Sequence, residues 1–259
     1  MPFPNFPGKH AHSAMFTPHD FLAYRRQHLP WEDFAAPAAV IIFYQGWFLH
    51  QIVDREKQAG RLVGSQPSFF LHVIEHQGVR IGLAGGFGIG SPAVAAVVEE
   101  LIALGATKFI SVGTAGALQK DLAIGSLVVC TRAIRDEGVS HHYAKPSKYA
   151  HCSPLLTRRL QDALAHLGAP AQSGTSWSID TPYRETTEEM QRYQAEGVLT
   201  VEMEASALAS VAHCRKVDFA AGFAISDSLA DLAWEPHFRS RAVAAGLEKL
   251  YAAALQVLL

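Results

Sequence analysis

Three features are scarce in this 259-residue chain. The first is charge of one sign: 22 Lys and Arg stand against 24 Asp and Glu, a formal net charge of -2. No broad basic field is available to neutralise a phosphate backbone, so nucleic acid is not expected as a partner. The second is cysteine: Cys130, Cys152 and Cys214 are odd in number, far apart and form no CxxC pair. That pattern argues against a disulfide framework or a zinc ribbon and fits a reducing compartment. The third is the long apolar run: none approaches the roughly 18 residues of a membrane span. The opening MPFPNFPGKHAHSAMF, with three prolines in its first seven residues, lacks the apolar core of a signal peptide. A cytoplasmic location with no membrane partner is the expectation. Thirteen histidines are mostly scattered. HAH (10–12) and HH (141–142) have no third ligand at a recognisable spacing, so no metal is expected.

What is present is apolar and periodic. With 49% hydrophobic residues, the chain suits one large α/β domain over 1–259. Residues 1 to about 34 read as an irregular arm with one short helix around Asp20 to His28. AAVIIFYQ (38–45) reads as a buried strand and GWFLHQIVDREK as the helix after it. SFFLHVIEHQGVRIGLAGG is two apolar runs broken at Gln77-Gly78, a hairpin signal. In SPAVAAVVEELIALG, Ser91 suits an N-cap, Pro92 the first helical turn and Gly105 the stop. KFISVG, GSLVVCTRAIR, AQSGTSWSID, VLTVEM and VDFAAGFAISD read as further strands. SPLLTRRLQDALAHLG, ETTEEMQRYQAEG, EASALASVAHC and the C-terminal segment read as helices. Alternating strands and helices predict a three-layer α/β/α sandwich around a mixed, largely parallel sheet. Ligands in such sheets bind beyond the carboxyl ends of strands.

Four stretches at strand ends carry candidate chemistry. In VEMEASALA, Glu202 and Glu204 flank Met203 within an apolar segment, where a carboxylate is costly unless paired. If the segment stays extended, both leave the same face and suit the vicinal hydroxyls of a sugar. Helix capping by Glu204, or pairing with an arginine, is the competing reading. GFGIGSPA (86–93) follows a strand and opens a helix, so backbone N–H groups around Gly88, Gly90 and Ser91 suit an anion. VGTAGAL places Gly113, Thr114 and Gly116 in a second small polar turn. In FAISDSLAD, Asp227 follows an apolar strand, where a carboxyl group is expected to titrate high and act as a general acid; a turn or cap role is the alternative.

Together these segments resemble the nucleoside phosphorylase family, which includes uridine phosphorylases, hexameric purine nucleoside phosphorylases and methylthioadenosine nucleosidases. The resemblance runs from about Val79 to the C-terminus. It is carried by GIGSPAVAAVVEELIALG, FISVGTAGAL, RDEGVSHHY, VEMEASALA and AISD. It implies that Glu204 holds the ribose hydroxyls, that Met203 packs on the sugar and that Glu202 lies near it. Thr114 then contacts phosphate and sugar. Gly88, Gly90, Ser91, Ser111 and Gly113 complete the anion set. Asp227 protonates a departing purine, and Tyr183, Arg184, Ser226 and His142 surround the base. The implied reaction is phosphorolysis of a nucleoside, with inorganic phosphate as co-substrate and no cofactor, in a homo-oligomeric dimer or hexamer. Hydrolysis by the same site and a non-catalytic nucleoside-binding relative are the alternatives.

The phosphate arginines are not matched. The family's G-D-P-x-R turn falls at FYQGWF (43–48), the arginine before VGT is Ser111, and a neighbour-donated arginine would fall near Gln66-Pro67. The glutamate that positions water in the nucleosidases is also missing, with Gln45 nearby. The family's base-stacking phenylalanine falls at Pro182, beside Tyr183.

Overall fold

The computed structural model of the chain describes residues 5–28, 35–56, 60–63 and 69–259. Gln66 and Pro67 therefore lie outside the described residues. Strand β1 (Ala39–Phe43) shows how the sequence builds the layers. All five residues are buried, but Val40 and Ile42 enter one core and Ala39, Ile41 and Phe43 the other. An unbroken apolar strand requires cover on both faces. One face is covered by α1 (Pro18–His28), α3 (Ser91–Ala103) and α7 (Ala205–Arg215), whose Leu22, Val98 and Leu208 share a cluster. The other is covered by α2 (Gly46–Glu56), α5 (Pro154–His166) and α8 (Arg241–Val257), through Ile52, Leu160 and Leu247. Each such fully buried side chain contributes roughly 1.5–3 kcal/mol relative to exposure. The arm is thus partly integrated, because Leu22 of α1 joins the core. Thr17 and Asp20 cap that helix reciprocally, Asp20 Oδ2 accepting from Thr17 N at 2.8 Å and Thr17 Oγ1 from Asp20 N at 3.4 Å.

The sheet is mixed. A hairpin joins β3 (Phe69–His76) to β4 (Val79–Gly85), with Gln77 and Gly78 both at positive φ, as a primed two-residue turn demands. β2 (Gly60–Val63) pairs at the outer edge of β3. Parallel pairings join β4 to β1 and β1 to β5 (Lys108–Ala117), and β5 is parallel to β10 (Asp218–Ser228). β10 runs antiparallel to β6 (Leu127–Asp136), and β6 parallel to β8 (Gln172–Ile179). β8 is parallel to β9 (Thr200–Glu202), which returns antiparallel to β5. The strands β5, β10, β6, β8 and β9 therefore close into a ring. Two short strands flank it: β7 (Tyr149–His151) on β6, and β11 (Glu235–Pro236) on β10. Helix α4 (Ser140–Tyr143) follows β6, and α6 (Thr187–Ala195) precedes β9.

Two local expectations are corrected. Gly113, Thr114 and Gly116 do not form a turn, because β5 continues to Ala117 and pairs with β10 along its length. Ser91 is not the N-cap of α3. Gly90 takes that position with φ 98°, and Ser91 is the first helical residue. No helix among the described residues is long and apolar enough to cross a membrane.

Candidate active site

At one end of the strand ring lies a cavity of about 650 Å³. Its floor comes from β5, β9 and β10, and its far wall from the segments after β8 and β10. Glu202 is the last residue of β9, and α7 begins three residues on. The glutamate Oε2 accepts from the backbone N–H of Glu204 and of Ala205, each at 2.7 Å. Its Oε1 accepts from Ser176 Oγ at 3.2 Å and from Ser178 Oγ. Glu202 thus anchors the N-terminus of α7, a favourable place for a carboxylate. The two glutamates are not the equivalent pair of an extended strand. The chain turns at Glu204 (φ -138°, ψ -29°), and capping is done by Glu202 while the Glu204 side chain makes no cap.

That division leaves Glu204 to face the cavity. Its Oε1 accepts from Gly90 N. Gly90 combines a positive φ with an N–H aimed at this oxygen, a conformation that favours glycine. Beside it, Ser91 Oγ donates to Met203 O at 2.6 Å. The glycine turn and the Glu-Met-Glu segment are therefore tied together. Burial, then the adjacent Glu202 charge, pushes the Glu204 carboxyl up to about 8. Burial also raises Glu202.

Asp227, on β10, also lines the cavity. Its Oδ1 accepts from Ser226 Oγ at 2.7 Å and its Oδ2 from Trp234 Nε1 at 3.1 Å. Glu185, from the loop after β8, lines the same cavity. Burial first, then the charges of Asp227 and Glu189, pushes its carboxyl up to about 7. Tyr183, Trp234 and Phe238 supply aromatic walls. Tyr183 is 99% exposed, so it stands at the mouth.

Thr114, Gln45, Tyr44 and Met203 line the cavity too. Gln45 Nε2 donates to Thr114 Oγ1 at 3.0 Å, while Gln45 Oε1 is buried with no hydrogen-bond partner among the described residues. Ser111 Oγ donates to Tyr44 Oη at 3.1 Å. The Tyr44 ring packs edge-on against Phe87 and leaves no room for a side chain at Gly113, whose added Cβ would meet it at 3.0 Å.

The structure thus brings Thr114, Glu202, Met203, Glu204, Tyr183, Ser226 and Asp227 around one cavity. Gly88, Gly90, Ser91, Ser111 and Gly113 do not line it, and neither do Arg184 or His142. Arg184 is exposed. His142 lies in α4, and its imidazole is lowered by burial and by Lys9 of the arm. Glu185, Tyr44 and Trp234 line the cavity as well, and no residue pattern in the sequence singles them out. Among the described lining residues there is no Lys, Arg or His, whereas Glu185, Glu202, Glu204 and Asp227 are all carboxylic. No cluster that could hold a metal ion occurs among the described residues.

The phosphorylase superfamily model matches residues 39–256. A uridine phosphorylase of Salmonella typhimurium is 33% identical over 135 residues, 47% of this chain and 53% of the relative. The chain thus spans about half the length of the curated relatives it matches. A DeoD-type purine nucleoside phosphorylase of Caldanaerobacter subterraneus is 30% identical over 156 residues, 60% of this chain and 67% of the relative. Among solved structures, the uridine phosphorylase of Vibrio fischeri superposes with a TM-score of 0.74 at 26% identity, covering 86% of this chain and 92% of that one.

Proposed function

The chain belongs to the phosphorylase superfamily, and from that premise we propose that it cleaves the N-glycosidic bond of a purine nucleoside and releases the free base. One observation carries this reading. Glu204 and Asp227 line a single cavity together with Met203, Thr114 and the aromatic side chains of Tyr183, Trp234 and Phe238, and Trp234 Nε1 donates to Asp227. A nucleoside offers groups to match, vicinal hydroxyls for a carboxyl group and a flat base for the aromatic walls.

In this reading Glu204 holds the ribose hydroxyls and Met203 packs against the sugar. As the bond breaks, its electrons pass to the base and the ribosyl group becomes oxocarbenium-like. Asp227 delivers a proton to the departing purine, which removes the cost of expelling an anion. Glu202 is a positioning residue, because its hydrogen bonds fix the turn that presents Glu204. Phosphate then attacks the anomeric carbon, a phosphorolysis in keeping with the names of the relatives; Thr114 is the residue we place beside it. No cofactor enters the chemistry. Exposed Phe6, Met15 and Phe16 of the arm support assembly as a homo-oligomer.

A second reading, with water as nucleophile, has specific support. No cation among the described residues lines the cavity, and arginine forks are the stronger device for a phosphate dianion. Gln45 Oε1, buried and unpartnered among the described residues, suits a water O–H. The test is inosine, adenosine, guanosine and uridine incubated with and without inorganic phosphate, followed by chromatography of base and sugar. Base with ribose 1-phosphate supports phosphorolysis. Base with free ribose, at a rate independent of phosphate, supports hydrolysis. No base in any arm rejects both.

A further inference from the structure

A second cavity, of about 580 Å³, lies where the arm meets the body. Its size is within the usual range for small-molecule sites. Among the described residues it shares no lining residue with the active-site cavity. The arm contributes Phe16, Thr17 and Phe21. Helix α3 contributes Ala96, Glu99 and Glu100, while Tyr143 and Arg215 come from the ends of α4 and α7. All the polar side chains there but one are already paired. Thr17 Oγ1 donates to Asp20 Oδ2 at 2.7 Å. Arg215 Nη2 donates to Glu99 Oε1 at 2.7 Å and its Nε to Glu99 Oε2 at 2.8 Å. Tyr143 hydrogen-bonds the same carboxyl group.

Glu100 is the exception. It is 7% exposed, and its Oε2 is buried with no hydrogen-bond partner among the described residues. Burial raises its carboxyl, and the charge of Arg25 on α1 opposes that rise. Glu100 therefore already feels a cation, and what its Oε2 lacks is a hydrogen-bond donor. A buried acceptor left without one is costly. We propose that this cavity binds an uncharged aromatic heterocycle, whose ring N–H donates to Glu100 while the ring packs among Phe16, Phe21 and Tyr143. A cationic ligand fits less well, because Arg25 and Arg215 already supply positive charge there. A ligand held in this way touches both the arm and α3, so it also fastens the arm to the body. The site stands apart from the cleavage reaction and does not depend on it.

The test is isothermal titration with benzimidazole, 1-methylbenzimidazole and benzylamine, in mildly alkaline buffer where benzimidazole is uncharged. The first two share a shape and differ in the ring N–H, and the third carries a charge. A hydrogen bond to a charged group corresponds to roughly 10- to 100-fold in affinity, so the wild type should bind benzimidazole at least about tenfold more tightly than either of the others. Glu100→Met, which removes the acceptor and nearly keeps the volume, should abolish that preference. Ala96→Phe, which fills the cavity and leaves Glu100 in place, should abolish binding. Benzimidazole should also slow proteolysis of the arm in the wild type and not in Ala96→Phe. Absence of binding, equal affinity for benzimidazole and its methyl derivative, or tightest binding of benzylamine would each overturn the proposal. So would a preference that survives in both folded variants, since the ligand would then sit in another cavity.

Discussion

Ser111 Oγ donates to Tyr44 Oη across 3.1 Å, from β5 to the residue that immediately follows the parallel strand β1. The family resemblance places a phosphate arginine at Ser111 and another within the FYQGWF segment that contains Tyr44. In this chain the two positions satisfy each other instead. Ser111 is 2% exposed, and burial, reinforced by Glu204, raises the Tyr44 phenol well above its ordinary range. A neutral hydroxyl pair thus stands beside the carboxylates where the family has cations.

That pair should behave as a unit. Ser111→Ala leaves the Tyr44 hydroxyl with one partner fewer, and Tyr44→Phe does the same to Ser111. Each single variant is expected to lose about 1 kcal/mol, and the double variant to lose less than their sum. Denaturant unfolding of the four proteins measures the coupling. Strict additivity would show that the contact does not contribute.

Glu204→Gln tests the sugar end in two ways. It should lower kcat/KM at least tenfold, about 1.4 kcal/mol of transition-state stabilisation. It should also change how stability depends on pH. The folded Glu204 carboxyl titrates at about 8, above its ordinary 4.5, so between about pH 5 and 8 the folded protein holds a proton that the unfolded chain releases. Stability from this group is present at low pH and lost as pH rises through that window. The wild-type Tm should fall more steeply than the variant's from about pH 5 to 8, and the variant should be the more stable at the upper end. Parallel Tm profiles would contradict a buried Glu204 carboxyl raised by burial and by Glu202.

Asp227→Asn addresses the leaving group. Loss of a general acid costs about 10² to 10⁴ in kcat. The full loss is expected on inosine and adenosine, where a basic ring nitrogen receives the proton, and little loss on uridine. Equal small effects on all three would leave Asp227 as the partner of Ser226 and Trp234 alone.

The arm bears on assembly. Phe6, Met15 and Phe16 are largely exposed on the described chain, and burying such apolar side chains favours association. Light scattering at micromolar concentration is expected to give a multiple of 28.1 kDa. A mass of one chain would remove the proposed oligomer.

Much of the fold was legible because local signals agreed with long-range packing. The continuous apolar run of β1, the Gln77-Gly78 turn and the Pro92 to Gly105 helix all read directly from residue type. The stretch from Gly113 to Gly116 did not, because small residues look like a turn. They form a strand because β5 pairs with β10 along this stretch, and they are glycine because Tyr44 crowds the Gly113 position and Leu229 and Val201 crowd Gly116. The separate tasks of Glu202 and Glu204 were also hidden. They depend on Ser176, Ser178 and Gly90, each more than twenty residues away in sequence. Glu185 carries no signal in the sequence, because only the fold of the segment after β8 brings it to the cavity wall.

The central claim is that this cavity breaks an N-glycosidic bond. The most direct measurement is single-turnover release of free base from a purine nucleoside by excess enzyme, comparing wild type with Glu204→Gln and Asp227→Asn. The expected result is stoichiometric base from the wild type and release slowed at least tenfold in each variant, with both folded. Retention of intact nucleoside by the wild type, with tight binding and no base released, would contradict it.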